Sequence, residues 1–358
     1  MKMAFLMIIL LHNLIWMIVL MSTCNASREV PSLSPSPSPS PKFLAILVFG
    51  DSTMDTGNND YIQTIAKANF MPYGIDYPGK IPTGRFSNGR LIPDFLASYL
   101  RLKEAVPPFL DPELSDNELV TGVNFASAAS GFDESTNLEY NILPISKQID
   151  NFRNYIARLN KIVGEEKART IINNALVVIG AGTNDVSGKA EENDIKYHDV
   201  LLNKTQTCIK ELYDLGCRYM IISGLPPLGC LPSRRSQKLD IDGKCLEDLN
   251  AYALSYNQKL IKLLSEMQAM VAGSKIRYVD VYQQVMDMVN NPQRYGFVET
   301  KKICCGTGLY ELSFLCNPIT VTCGKQNQFL FFDSTHPSQT CYLYLSRYIQ
   351  KEVLPKLM

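Results

Sequence analysis

The chain has 358 residues, of which 20% are charged and 46% are hydrophobic, and its 35 Lys and Arg residues balance its 35 Asp and Glu residues. This composition is typical of a globular protein and argues against intrinsic disorder. A formal net charge of zero gives no electrostatic basis for nucleic-acid binding. The length suits one large α/β domain or two modest ones.

The first residues predict a signal for secretion. Lys2 precedes an apolar stretch from Ala4 to Met21, and Cys24-Asn25-Ala26 follows with small residues at the spacing that signal peptidase accepts. A stretch of about 18 apolar residues could also just span a bilayer as an anchor. Two polar residues inside the stretch and the cleavage-like site favour removal of residues 1–26. We therefore expect a secreted, extracellular protein with no membrane span after the signal is removed.

A linker is expected to follow the signal. Residues Pro31 to Pro41 alternate serine and proline almost perfectly, and such a segment stays extended without building a core. We interpret residues 27–41 as a linker and residues 42–358 as a single folded domain.

Continuous apolar runs predict strands that are buried on both faces. They are Phe43–Phe49, ended by Gly50; Ala175–Ile179, ended by Gly180; Tyr219–Ile222; and, more weakly, Ile276–Tyr282. Apolar residues that recur every three or four positions over 145–162 and 246–263 predict amphipathic helices between these strands. The alternation predicts an α/β fold, a three-layer α/β/α sandwich with a mainly parallel sheet.

Polar clusters follow the predicted strands, at the edge of a parallel sheet where ligands bind. Gly50-Asp51-Ser52 follows the first strand, Asn184 lies just after the second, and Asp333 and His336 lie near the C-terminus. Each cluster alone is typical of a turn or a helix cap. In combination they provide a serine nucleophile, a histidine base and a carboxylate that orients the base. The Ser52 N–H and the Asn184 amide are donors of the type that stabilises an oxyanion.

The ordered motifs resemble the GDSL-type lipase/esterase family within the SGNH hydrolases, and most closely its plant secreted branch. The resemblance begins near Phe43 and includes four further blocks: Thr83–Arg90, Gly122–Ser127, Leu225–Cys230 and Cys304–Gly308. It implies an SGNH, flavodoxin-like fold, with Ser52 as nucleophile, His336 as base, Asp333 as its orienter and Asn184 as an oxyanion donor.

Three departures from the family pattern bear on activity. Ala129 stands where the family usually has the glycine whose N–H completes the oxyanion hole, and its methyl group disfavours a positive φ. Thr53 replaces the leucine of the motif, beside the nucleophile. The segment from Val186 to Tyr197 is shorter and more charged than is usual, so substrate access is expected to differ.

Histidine and cysteine residues have further interpretations. His198 lies at a helix-like start, and we interpret it as structural. Disulfides are expected in an oxidising compartment, with Cys230–Cys245 as one short bridge, although the sequence does not fix the pairing. A metal site is the alternative for four other cysteines, but they lack a regular CxxC pair, so no metal and no other cofactor is expected. These four are Cys304, Cys305, Cys316 and Cys323. Asn203-Lys204-Thr205 is an N-glycosylation sequon, whose alternative is an unused surface loop.

The sequence thus predicts a secreted, cofactor-free carboxylic ester hydrolase. Its expected partner is a small-molecule or lipid ester, with no nucleic acid, and it could associate with the cell wall. Because a histidine base must be neutral, activity is expected to rise with pH over roughly 6–7, where an ordinary imidazole loses its proton. Two alternatives are an acyltransferase that uses the same acyl-enzyme and an extracellular binding protein with impaired catalysis.

Overall fold

The computed structural model describes residues 43–137, 141–237 and 243–358. The predicted signal and linker therefore lie outside the described residues.

A four-stranded parallel sheet forms the centre of the fold. Its strands lie in the order β1 (Ala45–Gly50), β2 (Ala175–Gly180), β3 (Tyr219–Ser223) and β4 (Lys275–Val279). Every residue of β1 and β2 is buried, because helices cover both faces of the sheet. The predicted α/β fold with a mainly parallel sheet is confirmed.

The edge strand β1 has a further neighbour on the side away from β2. Residues 121–127 run beside it in an extended conformation, with a parallel bridge between Val48 and Asn124. The N–H groups of Phe125 and Ser127 donate to the carbonyls of Val48 and Gly50 at 2.8 and 3.0 Å. The block Gly122–Ser127 is therefore fixed beside the carboxyl end of β1.

The helices fill the connections between the strands. They are α1 (Ile92–Tyr99), α2 (Asp116–Val120), α3 (Glu134–Asn137), α4 (Ile145–Val163), α5 (Glu165–Asn173), α6 (Tyr197–Asp214), α7 (Pro232–Gln237), α8 (Glu247–Met270), α9 (Val281–Asn290), α10 (Pro292–Tyr295) and α11 (Gln339–Tyr348). A π-helical turn, Ile349–Val353, continues α11. The two predicted amphipathic helices correspond to α4 and α8. Among the described residues, none of the helices combines the length and apolar character that crossing a bilayer requires.

The fourth predicted strand is partly wrong. β4 ends at Val279, and Asp280 caps helix α9 by accepting a hydrogen bond from the Gln283 N–H at 3.0 Å. The sequence predicted a longer strand because the apolar residues continue past this boundary. Val281 is apolar, but it is buried as the first residue of α9. A carboxylate at an N-cap explains why the strand stops there.

A second, two-stranded parallel sheet positions the C-terminal motif. It pairs β5 (Glu299–Ile303) with β6 (Phe329–Phe331). The loop that carries Asp333 and His336 follows β6 directly and leads into α11.

Candidate active site

Ser52 lies in a tight turn at the carboxyl end of β1. Gly50 has a φ of +144°, and a β-carbon there would lie 2.1 Å from the Gly180 carbonyl oxygen on β2. Only glycine fits this close approach of two strands. Asp51 accepts hydrogen bonds from the Thr53 N–H at 2.9 Å and the Thr53 hydroxyl at 2.7 Å, which fixes the turn around Ser52. Burial raises the pKa of Asp51, and these bonds oppose the rise.

The structure brings Ser52, His336 and Asp333 into one hydrogen-bonded row. Nε2 of His336 lies 2.7 Å from the Ser52 hydroxyl oxygen. Nδ1 of His336 lies 2.8 and 2.7 Å from the two carboxylate oxygens of Asp333. All three side chains are buried or nearly so, with Ser52 8% exposed. A serine, an imidazole and a carboxylate in this row can activate the serine oxygen for attack on a carbonyl.

Backbone groups also hold the Asp333 carboxylate. The N–H groups of Thr335 and His336 donate to its Oδ1 at 2.9 and 2.7 Å. One further partner, which the sequence did not predict, is the Tyr73 hydroxyl, which donates to Oδ2 at 2.7 Å. Tyr73 lies 260 residues from Asp333 along the chain, so no local spacing could have indicated this contact.

The block Thr83–Arg90 supports the loop that carries His336. Ser87 donates its hydroxyl to the Pro337 carbonyl at 3.1 Å, and the Asn88 amide oxygen accepts from the Gln339 N–H at 2.8 Å. Gly89 leaves room for the Gln339 side chain, since a β-carbon would meet it at 2.1 Å. This block therefore holds the position of His336, and its Arg85 guanidinium also contacts the segment after Ser52 by donating to the Thr56 carbonyl at 3.1 Å.

Asn184, the predicted oxyanion donor, lies beside the nucleophile. The Asn184 amide donates to the Ser130 carbonyl at 2.9 Å, and the Ser130 hydroxyl donates to the Gly50 carbonyl at 2.8 Å. The buried Gln148 amide joins the same network by donating to both Gly50 and Ser130. Asn184 and residue 129 are thus held next to the turn that carries Ser52.

Ala129 adopts the conformation that the family's glycine would favour. Its φ is +66°, in the left-handed region that alanine rarely occupies. Among the described residues, no acceptor faces the N–H groups of Ala129 and Ser52. Two backbone donors and the remaining N–H of the Asn184 amide are therefore free to bind an oxyanion.

The segment from Val186 to Tyr197 follows Asn184, which lines the cleft, closely along the chain. Its anchor is Asp185, which accepts from the N–H groups of Phe132 and Asp133 at 2.9 and 2.8 Å. Burial raises the pKa of Asp185 to about 6. Arg234 on α7 forms an ion pair with Glu191 in this segment, so the segment is tied to α7, which follows the cleft residue Leu231.

The cleft has a polar floor and apolar walls. Ser52, Asn184 and Thr335 supply the polar groups. The apolar walls include Ile92, Pro226, Leu231, Val281, Val285, Phe331 and Leu345. A carbonyl group could reach the serine there while an apolar part of the same molecule packs on the walls.

His198 lies away from this site. It is completely buried near the start of α6, where its ring packs edge-on against Tyr252 and Tyr256 of α8 at 4.3 and 5.6 Å between ring centroids. Burial, and secondarily Lys259, lower the pKa of His198 to about 4. This geometry supports a structural role.

The cysteines form three disulfides in the described residues. Cys230–Cys245 is one of them, as predicted. The four cysteines for which a metal site was the alternative form two disulfides, Cys304–Cys323 and Cys305–Cys316. Within the described ranges, no cluster of three or more His, Cys, Asp or Glu residues is arranged to hold a metal ion.

The sequon lies on a helix rather than on the surface loop of the alternative interpretation. Asn203 is exposed on α6, whereas the Thr205 hydroxyl is buried and donates to the Leu201 carbonyl at 2.9 Å. Glycosylation of Asn203 stays a prediction.

Comparison with known proteins identifies the family of this site. The model of the GDSL-like Lipase/Acylhydrolase family matches residues 46–349. The chain belongs to this family. It is 49% identical to a GDSL esterase/lipase of Arabidopsis thaliana over 345 residues, which cover 93% of this chain and 94% of the relative. A second Arabidopsis GDSL esterase/lipase is 44% identical over 354 residues, covering 96% of this chain and 98% of the relative. The GDSL family assignment makes the protein a carboxylic ester hydrolase, as the sequence predicted.

Proposed function

We propose that the protein is a secreted serine esterase that cleaves carboxylic esters through an acyl-enzyme on Ser52. The observation that carries the proposal is the row of Ser52, His336 and Asp333, with 2.7 Å between the serine oxygen and Nε2. A neutral imidazole at this distance can accept the hydroxyl proton as the serine oxygen attacks the ester carbonyl.

The rest of the cycle uses the same groups. The N–H groups of Ser52 and Ala129 and the Asn184 amide stabilise the negative oxygen of the tetrahedral intermediate. His336 then returns its proton to the leaving alcohol, and the acyl group stays on Ser52. Water, deprotonated by His336, attacks the acyl-enzyme, and the proton then passes from His336 to the Ser52 oxygen as the acid is released. Asp333 keeps the imidazole oriented and stabilises its charged form throughout.

A fluorophosphonate probe tests the nucleophile. We expect an adduct on Ser52, identified by peptide mass spectrometry, and no adduct on Ser52→Ala. His336→Ala should lose ester hydrolysis by about 10⁴-fold or more. His198→Ala is the matched control and should keep it. Correctly folded protein that takes no label would favour the impaired binding protein instead.

The same acyl-enzyme could pass its acyl group to an alcohol. Adding alcohol acceptors to the assay and analysing the products separates the two reactions. Free acid as the main product supports the esterase, and ester exchange at comparable rates supports an acyltransferase.

Secretion is the second part of the proposal. The apolar N-terminal stretch, the small residues before position 27 and the disulfides of the domain support removal of residues 1–26 and export. The Ser/Pro-rich linker over 27–41 would then become the exposed N-terminus and could contact the cell wall. A fractionation of wall and medium tests this.

A further inference from the structure

The Tyr73 hydroxyl has two hydrogen-bond partners whose roles are fixed by chemistry. It lies 2.7 Å from Oδ2 of Asp333, and it accepts from the Ser313 N–H at 2.9 Å. A backbone N–H can only donate, and an ionised carboxylate can only accept. The single hydroxyl proton of Tyr73 therefore points at Asp333. Burial, and secondarily Asp333, raise the pKa of Tyr73 well above its ordinary value, so the hydroxyl keeps this proton.

Aromatic packing prevents the Tyr73 ring from moving. The ring is completely buried and makes edge-on contacts with Phe70, Phe86 and Phe332, at 5.8, 5.6 and 5.5 Å between centroids. Phe86 also lies 4.8 Å from the His336 ring. The aromatic cluster therefore packs against both the tyrosine that binds Asp333 and the ring of His336.

Ser313 belongs to a segment that two disulfides close. We call residues 304–323 the stapled loop, since Cys304–Cys323 and Cys305–Cys316 connect it. The N–H groups of Cys304 and Cys305 donate to the Phe331 and Phe332 carbonyls, immediately before Asp333. The Ser313 hydroxyl donates to the Lys67 carbonyl at 3.0 Å. The loop is therefore fixed both to the end of β6, just before Asp333, and to the segment that precedes Tyr73.

We infer that Tyr73 is a positioning residue for the reaction, and that the stapled loop fixes its hydroxyl so that the Asp333 carboxylate stays aimed at His336. This inference rests on the proposed function of the site. Without the hydroxyl, Oδ2 keeps only its contact with the imidazole, while the backbone N–H groups of Thr335 and His336 still hold Oδ1. The position of Oδ2 is then fixed less tightly. The carboxylate would also present more negative charge to His336, because a donor that had shared this charge is gone.

Other titratable groups face this pair and must stay constant in the comparison. Asp51 lies before the nucleophile, and its charge interacts with His336. Tyr342 of α11 is buried, and its hydroxyl interacts with the charges of Asp51 and Asp333. Neither group is altered by a change at Tyr73, so a change in pH dependence reports the lost hydroxyl.

The test compares Tyr73→Phe with Tyr155→Phe. Tyr155 is also a buried core tyrosine, and its hydroxyl donates to the Leu119 carbonyl at 3.1 Å without contacting the site. The pH profiles of kcat and kcat/KM are measured on a soluble p-nitrophenyl ester, with thermal unfolding recorded in parallel. For Tyr73→Phe we expect kcat to fall about 10- to 100-fold with KM nearly unchanged. The acid limb should move about 0.5 unit to higher pH, because the imidazolium is stabilised more. Tyr155→Phe should keep the wild-type profile.

A second variant covers the case in which Tyr73→Phe does not fold. The pair Cys305→Ser and Cys316→Ser keeps the Tyr73 hydroxyl but frees Ser313, and it should lower kcat and move the acid limb in the same direction by less.

Each outcome decides a different point. Wild-type protein that takes no fluorophosphonate label and hydrolyses no ester refutes the proposed function. Active, labelled wild type with an unchanged acid limb and kcat in Tyr73→Phe overturns the positioning role, even if Tyr73→Phe melts at a lower temperature.

Discussion

The backbone at Ala129 is held in a conformation that costs an alanine free energy. At a φ of +66° the methyl group crowds the following carbonyl, which costs roughly 1–2 kcal/mol relative to a right-handed conformation. The neighbouring hydrogen bonds enforce it: the Ala128 N–H donates to Asp55 at 3.0 Å and the Ser130 N–H to the Ser127 carbonyl at 3.1 Å. The departure from glycine is therefore a matter of strain, because alanine keeps the N–H that we propose as an oxyanion donor.

Replacement of Ala129 by glycine should relieve this strain. We expect Ala129→Gly to raise the free energy of unfolding by up to about 1 kcal/mol, since the extra entropy of glycine in the unfolded chain offsets part of the gain. Ester hydrolysis should stay equal or increase. Urea unfolding and kcat/KM measure the two effects.

Ala126→Gly is the control for this prediction. Ala126 is completely buried three residues before Ala129, and it is not among the residues with positive φ. There glycine should destabilise, by about 0.5–1 kcal/mol from entropy alone. Equal losses for the two variants would contradict the strain at Ala129.

At the scale of elements, the contact between α6 and α8 contains a histidine whose burial disfavours protonation. His198 is buried against Tyr252 and Tyr256, and within the described residues neither ring nitrogen has a hydrogen-bond partner. Its pKa of about 4 lies below the ordinary value of 6.5. The unfolded chain therefore binds a proton at His198 more readily than the folded chain does.

This difference predicts a pH-dependent contribution to stability. The contribution of His198 is present above pH 6.5 and is lost as the pH falls from 6.5 towards 4. His198→Phe keeps an aromatic ring in the contact and removes the titration. We expect the stability of this variant to improve relative to wild type over that pH range, and to show a constant difference above it.

Chemical denaturation from pH 7.5 to 4.5 measures the effect. The comparison must be made as a difference between proteins, because burial raises the pKa values of Asp55 and Asp185 to about 6, and these groups favour the folded state on acidification. Parallel curves for wild type and His198→Phe would show that the buried imidazole does not contribute.

The elements that the sequence predicts well are those whose signal is local. The first three strands and both amphipathic helices follow from apolar patterns that burial imposes. β5 was not predicted, because its Glu299–Ile303 sequence is largely polar and carries two exposed lysines. The extended segment 121–127 was recognised only as a motif, since its partner β1 lies some 75 residues earlier.

At the scale of the whole molecule, the site could be predicted where topology restricts the possibilities. Ser52 and Asn184 follow neighbouring parallel strands, so their proximity is a property of the sheet edge. Asp333 and His336 are three residues apart and share one loop. The Tyr73 hydroxyl could not be predicted in the same way, because its approach to Asp333 depends on the aromatic cluster and the stapled loop together.

The cysteine inventory allows one prediction about the entire mature chain. Residues 43–358, as far as the structure describes them, contain three disulfides and three free, buried cysteines, Cys208, Cys217 and Cys341. Burial raises the pKa of each free thiol, to about 12 for Cys208. The thiolate is the reactive form, so native protein should not react with a thiol reagent at neutral pH.

Denaturation without reductant should expose three thiols for each chain, if residues 1–26 have been removed together with Cys24. Retention of the N-terminal segment would add a fourth thiol, and N-terminal sequencing would then find Met1. Full reduction before denaturation is the control and should release the six disulfide-bonded cysteines as well. A count of three thiols would support the disulfide pattern. An N-terminus at Ser27, found by sequencing, would support the proposed removal of the signal.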